Sequence, residues 1–476
     1  MSLILFALIV PLLVTFILPL FKPRIATILS TISFLVPAGT ALCALLTAQR
    51  EEELLMNLPA PIGDFYLLYD PISHALGFTI SLVSAMVALY SLPYMKHRFE
   101  EIDAGLGEFR KYWFLYNLYA VSMLWLVYSG NLLLLYIFLE ISLLASFMLI
   151  YLYGYGNRQW VGILYFVWTH IAGVLALTGF LIIAFENQTL ALNEIRAIGF
   201  LPWLLIFIGM VVKLPGLGPH IWLPWAHAEA PTPVSALLSP LTVGLAGYIL
   251  LRIYLIDSSF ISQFRDIIIA YAIVSSIYAG LSVFRQRDYK RLLAYSTVSQ
   301  MGYVLIALCL GTYGLMGLVI QYMSHAFGKA ILFMTAGALI TAFHGLRSLD
   351  KMKGMHEFVP TISNAALIGF MTLSGIITIG MLAEFLILIG LTQVYGFNLA
   401  VISLVVLVFV ISGLYSFYTM REIYYGTPMG YEKPKFSRLL DLPLYAIAFF
   451  SIAFLFPPLA PALLDGIKLA LGGVLP

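Results

Sequence analysis

With 476 residues, 62% of them apolar and only 10% charged, the chain carries well under half the charge of an average soluble domain, where ~25% is usual. Its mean hydropathy is +0.98. A net charge of +2 with no basic stripe excludes a nucleic-acid surface, and Cys43 and Cys309, far apart in apolar runs, exclude a cysteine metal or iron–sulfur site and read as two small core residues.

A membrane crossing takes about 20 apolar residues. Fourteen spans are predicted, at 2–21, 25–48, 66–95, 112–129, 131–153, 161–185, 201–224, 232–255, 265–284, 291–311, 313–343, 360–391, 397–420 and 441–465. The opening Met-Ser-Leu-Ile-Leu-Phe lacks a basic n-region and reads as a first span rather than a removed signal. The longest polar stretches, 49–65 and 96–111, have room for a hairpin or a surface helix and nothing larger. The expectation is an all-α polytopic protein with a single membrane domain over 1–476.

Sorting lysines and arginines by side gives 18 in one set of loops and 5 in the other, with Lys213 and Lys329 left inside spans. By the positive-inside rule, this places both termini outside a plasma membrane. The same sorting leaves Glu140 and Glu384 deep in spans and Glu229 near a helix end. His170 and His325 lie in apolar runs, and His220 and His227 flank a break. His74, near the start of a span, is open to either reading. Ionisable groups at membrane depth are costly and mark function by default.

The break lies in Lys213-Leu-Pro-Gly-Leu-Gly-Pro-His-Ile-Trp-Leu-Pro-Trp-Ala-His-Ala-Glu229. Two prolines and two glycines interrupt the helix within six residues of a lysine, and such a segment survives only if buried in protein or lining a wet cavity. A second interruption, Leu373-Ser-Gly-Ile-Ile-Thr-Ile-Gly380, precedes Glu384. Lys213 and Glu384 are 171 residues apart, His170 and His325 155, and Glu140 and Gln300 160. Five spans separate each pair. That odd number predicts two inverted five-helix repeats, spans 4–8 (about 112–255) and 9–13 (about 265–420), with discontinuous helices 7 and 12.

Four stretches then resemble one family. They are Lys213-Leu-Pro…His220-Ile-Trp-Leu-Pro…His227-Ala-Glu-Ala-Pro-Thr-Pro, Asp288-Tyr-Lys-Arg-Leu-Leu-Ala-Tyr-Ser-Thr-Val-Ser-Gln-Met-Gly-Tyr, Leu139-Glu-Ile-Ser142 and His325-Ala-Phe-Gly-Lys329. Together they resemble the proton-conducting antiporter-like subunits of complex I, Mrp antiporters and membrane-bound hydrogenases. The resemblance implies that Glu140 pairs with Lys213, that His325 and Lys329 form a relay, and that Glu384 ends it. It also implies partners: other antiporter-like and small membrane subunits and a peripheral redox arm. One departure stands out. Gly244 occupies the place of an eighth-helix lysine that joins the two half-channels in many members, so the link would need water, His227 or Ser239.

The chemistry suits the residues. A carboxylate beside a buried lysine supports its charge, and moving or neutralising that carboxylate releases the proton. Histidines titrate near neutrality and suit relay positions. The plainer alternatives are a Lys213–Glu140 pair that only fixes register, His220 as a cap, and His227 with Glu229 as an interface pair. No cofactor-binding motif is present, so the chain is expected to be an ion-translocating (H+ or Na+) subunit of a redox-driven complex and not its redox centre. The alternatives are an Mrp-type antiporter subunit without redox activity and a scaffold with an incomplete path.

Overall fold

The computed structural model describes residues 2–435 and 437–472, and helix occurs in each of the fourteen predicted ranges. In chain order, α1 is Leu3–Ile17 and α2 Pro23–Leu46. A hairpin follows, β1 Glu51–Met56 against β2 Phe65–Tyr69, antiparallel with Glu51 opposite Tyr69 and a bulge between Leu54 and Met56. The third helix therefore starts later than 66, as α3 Pro71–Glu101, because Asp70 caps it through the Ser73 amide (2.7 Å) and Pro71 supplies a preset first position. Then come α4 Leu106–Tyr128, α5 Leu132–Tyr153 (capped by Asn131), α6 Arg158–Asn187 and α7 Phe200–Lys213.

The seventh span resumes as α8 Trp222–Glu229. The eighth comprises α9 Thr232–Leu237, a π-helical segment Leu238–Thr242 and α10 Val243–Ile256. Next are α11 Ser259–Val283, α12 Tyr289–Leu308, α13 Gly311–Ala342 and a short α14 Met355–Phe358. The twelfth span is split into α15 Pro360–Leu373 and α16 Ile379–Tyr395, and α17 Leu399–Tyr424 follows. The last predicted span is also divided, into α18 Leu442–Ala453 and α19 Leu459–Leu471. Among the described residues, nine helical stretches are long and apolar enough to cross a membrane, and α7, α15 and α16 are shorter apolar pieces of the two broken spans.

Burial ranks these helices. Every residue of α13 from Gly314 to Ile340 is buried, and α3, α10 and α12 are nearly so, whereas α1 and α17 turn most of their surface outward. Central α13 packs on α3, α12, α15 and α16. Cys309 is buried but Cys43 is exposed on α2, so only the first of these is a core residue.

The two ends of the bundle differ. One end gathers the hairpin, Ser2, Asn131 and the 188–203 loop: Ser2 donates to Glu53 (2.5 Å), Asn131 Nδ2 to the Ile62 carbonyl (3.0 Å) and the Asn193 amide to Tyr66 (3.1 Å). Burial pushes the Glu53 carboxyl up, but the bonds from Ser2 and Tyr69 outweigh it and hold the group below its ordinary range. At the opposite end the Tyr289 amide donates to the Arg347 carbonyl (3.0 Å), and the Tyr155 amide to that of Glu229 (2.7 Å).

Candidate functional site

The first group forms at the break of the seventh span. Helix α7 stops at Lys213, and the chain turns through Gly218, whose φ of +98° favours glycine. The backbone groups released here find partners. Ser275 accepts from the Leu217 amide (2.9 Å), Tyr271 donates to the Leu217 carbonyl (2.8 Å) and Trp222 Nε1 to that of Val212 (3.0 Å). Helix α11 thus satisfies part of the loop, which is why the break survives among apolar helices.

Lys213, 7% exposed, points at Glu140 of α5, with Nζ 3.7 Å from Oε1. The other carboxylate oxygen lies 2.8 Å from His170 Nδ1 on α6. Glu140 is therefore shared between two bases, a contact that spacing along the sequence did not reveal. Small residues make room for it, since a Cβ at Gly173 would collide with the Glu140 carboxylate. The imidazole of His170 stacks on Phe166 at 5.3 Å, and its side chain is 44% exposed on the outside of the bundle. Beside Lys213, a cavity of about 20 Å3 lined by Ser142, Tyr165, Thr169, Trp222 and Thr242 has room for one water.

His220 sits apart from this group. Its Nδ1 accepts from the Gly218 amide (3.2 Å) and its ring meets Tyr278 and Tyr295, so its recorded polar bond is to the local turn.

A second group occupies the middle. His227 of α8 is fully buried against the Phe333 ring (4.8 Å), and neither ring nitrogen has a protein partner. Lys290, Lys329 and His325 are its titratable neighbours. His325, 1% exposed, likewise has both nitrogens free. One turn on, Lys329 Nζ donates to the Leu293 carbonyl (2.8 Å) and to the Ser296 hydroxyl. Unpartnered buried imidazoles are expensive unless water reaches them. Ser239 bonds Thr297 (2.7 Å) on the same stretch.

Lys290 belongs to this group and was counted among loop cations. It is 1% exposed, because Asp288 caps α12 and so places Lys290 inside the first turn, where Nζ donates to the Ala230 carbonyl at the α8–α9 junction. The helix start that Asp288 signals was the available clue. Arg252, likewise counted as an external loop cation, is buried in α10 and paired to Asp70 (2.6 and 2.8 Å). With these two and Arg98, likewise buried in α3, removed from the loops, the division of cations between the two sides is 16 to 4. At Gly244 the Tyr322 ring takes the space, and a Cβ there would stand 2.5 Å from Tyr322 Cδ2.

The third group surrounds the twelfth-span break. The carbonyl of Leu373, last residue of α15, accepts from Gln300 Nε2 (2.9 Å) and Ser412 Oγ (3.0 Å). Gln321 donates to Gln300 Oε1 (2.6 Å), and Ser412 bonds Tyr415 (3.0 Å). Glu384 of α16 folds back onto Gly375, whose φ is +63°, and among the described residues no cation lies within ion-pair distance. Gln321, Ser412 and Tyr415 were missed, since neutral polar residues in apolar helices carry no charge signal. Among the described residues no three His, Cys, Asp or Glu side chains converge as a metal ion would need.

Residues 129–410 match the family described as "NADH:quinone oxidoreductase/Mrp antiporter, TM". The chain belongs to this family. It is an integral membrane protein of the antiporter-like kind that its motifs resembled. It is 29% identical over 331 residues to NADH-quinone oxidoreductase subunit M of Rickettsia prowazekii, covering 67% of each chain. It is 32% identical over 310 residues to F(420)H(2) dehydrogenase subunit M of Methanosarcina mazei, covering 61% of this chain and 62% of the other. The chain thus spans about two thirds of the length of such relatives. Its fold matches a chain of respiratory complex I from Thermus thermophilus with a TM-score of 0.84, at 22% identity and over 99% of this chain and all of that one.

Proposed function

We propose that the protein is the ion-translocating antiporter-like subunit of a multi-subunit respiratory or hydrogenase-type complex. It moves protons through buried Lys213, His227, His325 and Lys329 and partly buried Glu140 and Glu384 while redox chemistry occurs in other subunits. The observation that carries this reading is Glu140 held between Lys213 and His170 at a broken helix. A carboxylate shared by two bases stabilises the proton on either of them. A shift of the carboxylate toward one weakens the other's hold, and the proton leaves.

His170 takes the outer position of this switch, where a neighbouring subunit could reach it. His227 and His325, unpaired and next to Lys329 and Lys290, form the middle carrier. Glu384 at the second break ends the path. His220 enters as a support of the loop and as a further relay position beside it. The single membrane domain would consist of the two repeats, about 112–255 and 265–420, with α1 to α3 and the C-terminal helices packed around them. Cations gather at the end away from the hairpin, where Arg285, Arg287, Arg291, Arg347 and Lys351 line a cavity of about 840 Å3. By the positive-inside rule, that bias supports a reading with the hairpin end and both termini outside the plasma membrane.

The test is Lys213→Ala in the assembled complex, reconstituted in vesicles, with proton uptake measured against electron flow. Uptake per electron should collapse, and an unchanged ratio would sink the assignment. Co-purifying subunits decide the remaining question: redox subunits support this reading, and an assembly of transporter subunits alone would replace it with an Mrp-type antiporter.

A further inference from the structure

We propose that the cation-lined cavity at the end away from the hairpin binds the phosphate-bearing headgroup of an anionic membrane lipid, whose acyl chains lie along a groove between α11 and α17. The proposal is independent of the proton path. The segment that leads into α12 is clasped to the segment that leads to Lys351: the Tyr289 amide donates to the Arg347 carbonyl (3.0 Å), and the Leu349 amide to that of Arg287 (2.9 Å). This backbone clasp sets Arg285, Arg287, Arg347 and Lys351 around one space of about 840 Å3. Arg291, in the first turn of α12, completes the wall, with its guanidinium 4.6 Å from the centre of the Trp225 ring.

Five lysines and arginines face this space and only one carboxylate, that of Asp288. Asp288 is already engaged, since it caps α12 through the Arg291 amide (3.0 Å) and accepts from Arg347 (2.9 and 2.8 Å). Arg287 reaches Asp350 at 3.7 Å, but both side chains are largely exposed and a pair of that kind contributes little. Among the described residues, no carboxylate lies within ion-pair distance of Arg285, Arg291 or Lys351. Like charges gathered around one concavity repel one another, and an anion seated among them relieves that repulsion. Guanidinium forks match the paired oxygens of a phosphate.

The surroundings favour a lipid over a free anion. Arg285 and Arg287 also line a second cavity, of about 310 Å3, whose other walls include Phe284, Leu292, Tyr418 and Ile423. Phe284 meets Tyr418 edge to face at 5.2 Å where α11 packs on α17. On α11, Tyr278 and Leu281 precede Arg285 on one face and are 45% and 54% exposed. On α17, Leu414 and Tyr418 stand one turn apart and are 58% and 45% exposed. Two rows of apolar surface on membrane-spanning helices therefore end at the same arginines. A phospholipid uses both features, with its tails along the rows and its phosphate at Arg285 and Arg287, whereas inorganic phosphate uses only the cations. Basic pockets between membrane helices recognise headgroups in this way.

The experiment takes the assembled complex from nanodiscs of equal phosphatidylglycerol and phosphatidylcholine and counts the lipids it retains by native mass spectrometry, for the wild type and for Arg285→Gln/Arg287→Gln. Lipids held by other subunits cancel in the difference. The variant should retain one phosphatidylglycerol fewer, with phosphatidylcholine unchanged. Titration of the delipidated complex with phosphatidylglycerol, followed by its thermal midpoint, should show affinity weakened by about tenfold or more. Equal retention of phosphatidylglycerol overturns the proposal. So does inorganic phosphate that raises the midpoint of the wild type as far as the lipid does and leaves the variant unmoved, which makes the cavity a site for a free anion. Loss of a subunit from the variant complex with its lipid retained makes this face a protein contact and overturns the proposal as well. Should the double variant fail to assemble, Lys351→Gln, which changes one exposed side chain, decides by the same titration: affinity weakened about fivefold supports the site, and unchanged affinity overturns it.

Discussion

The two broken helices use one backbone device and two kinds of chemistry. At the first, a buried lysine faces a carboxylate that a histidine also holds, so the charge at the break is shared among three side chains on three helices. At the second, the freed Leu373 carbonyl is met by an amide and a hydroxyl, and Glu384 lies on the loop with no cation within ion-pair distance among the described residues. An ion pair is a switch because either partner can be moved away from the other. A network of neutral groups holds water and shape but has no partner whose departure would change a charge. We therefore propose the first break as the control point and the second as a conduit.

The largest expected effect follows from that division. Lys213→Ala should lower proton uptake per electron by about a hundredfold or more, the usual scale for removing a positioned proton-transfer group. It also leaves Glu140 with a half-exposed histidine as its remaining partner. Adding Glu140→Gln should then recover stability but not uptake, as read by thermal unfolding beside vesicle acidification. If the double variant pumped, the control point would lie elsewhere.

Next in size is Glu384→Gln, which keeps the shape of the side chain and removes its charge. A conduit that water can still fill predicts a loss of about tenfold in uptake with assembly intact, less than a full general acid–base role would give. A loss as deep as that of Lys213→Ala would make the two breaks equivalent and erase the distinction.

How much of this was legible in the sequence depends on what each residue announces. Lys213 and Glu384 were visible because a charge in an apolar run is conspicuous, and both breaks because polar residues and glycines, with proline at the first, cluster there, whereas the single Pro11, Pro37 and Pro93 stay inside α1, α2 and α3. The hairpin fitted the 49–65 gap in length, although its second strand took residues that had been read as the third span. Lys290 and Arg252 were invisible for the opposite reason: near a helix end a cation looks the same whether it turns to water or inward, and only the packing of α12 on α8 and of α10 on α3 decides. The contact of His170 with Glu140 needed the angle between α5 and α6, and the filling of Gly244 needed to know which α13 side chain faces α10. Those are facts about neighbours across space, and no periodicity within one helix contains them.

Gln300 tests the neutral side of the comparison. It is 1% exposed, and it links Gln321 to the Leu373 carbonyl, Ser412 and Tyr415. Gln300→Leu fills the volume but leaves the Gln321 amide without its acceptor and the carbonyl with Ser412 alone. A buried group stripped of its partner costs about 1–3 kcal/mol, so a lowered thermal midpoint with nearly normal uptake is expected. A large loss of uptake at unchanged stability would instead make this amide part of the path.

The smallest effect is expected at His170. Its bond to Glu140 is short, but the ring is 44% exposed and stacked on Phe166, so solvent competes for both partners. Pairs of that kind contribute about 0.2–1 kcal/mol, and His170→Gln, which can still donate to the carboxylate, should change proton conduction under an imposed pH gradient by about twofold at most in the isolated subunit reconstituted alone. The same substitution in the whole complex is the sharper measurement. If a neighbouring subunit covers this face, the pair loses its contact with solvent, and the effect should grow well beyond twofold. Equal effects in both settings would mean that His170 stays at the edge of the switch, and that Lys213 is the base which sets the charge of Glu140.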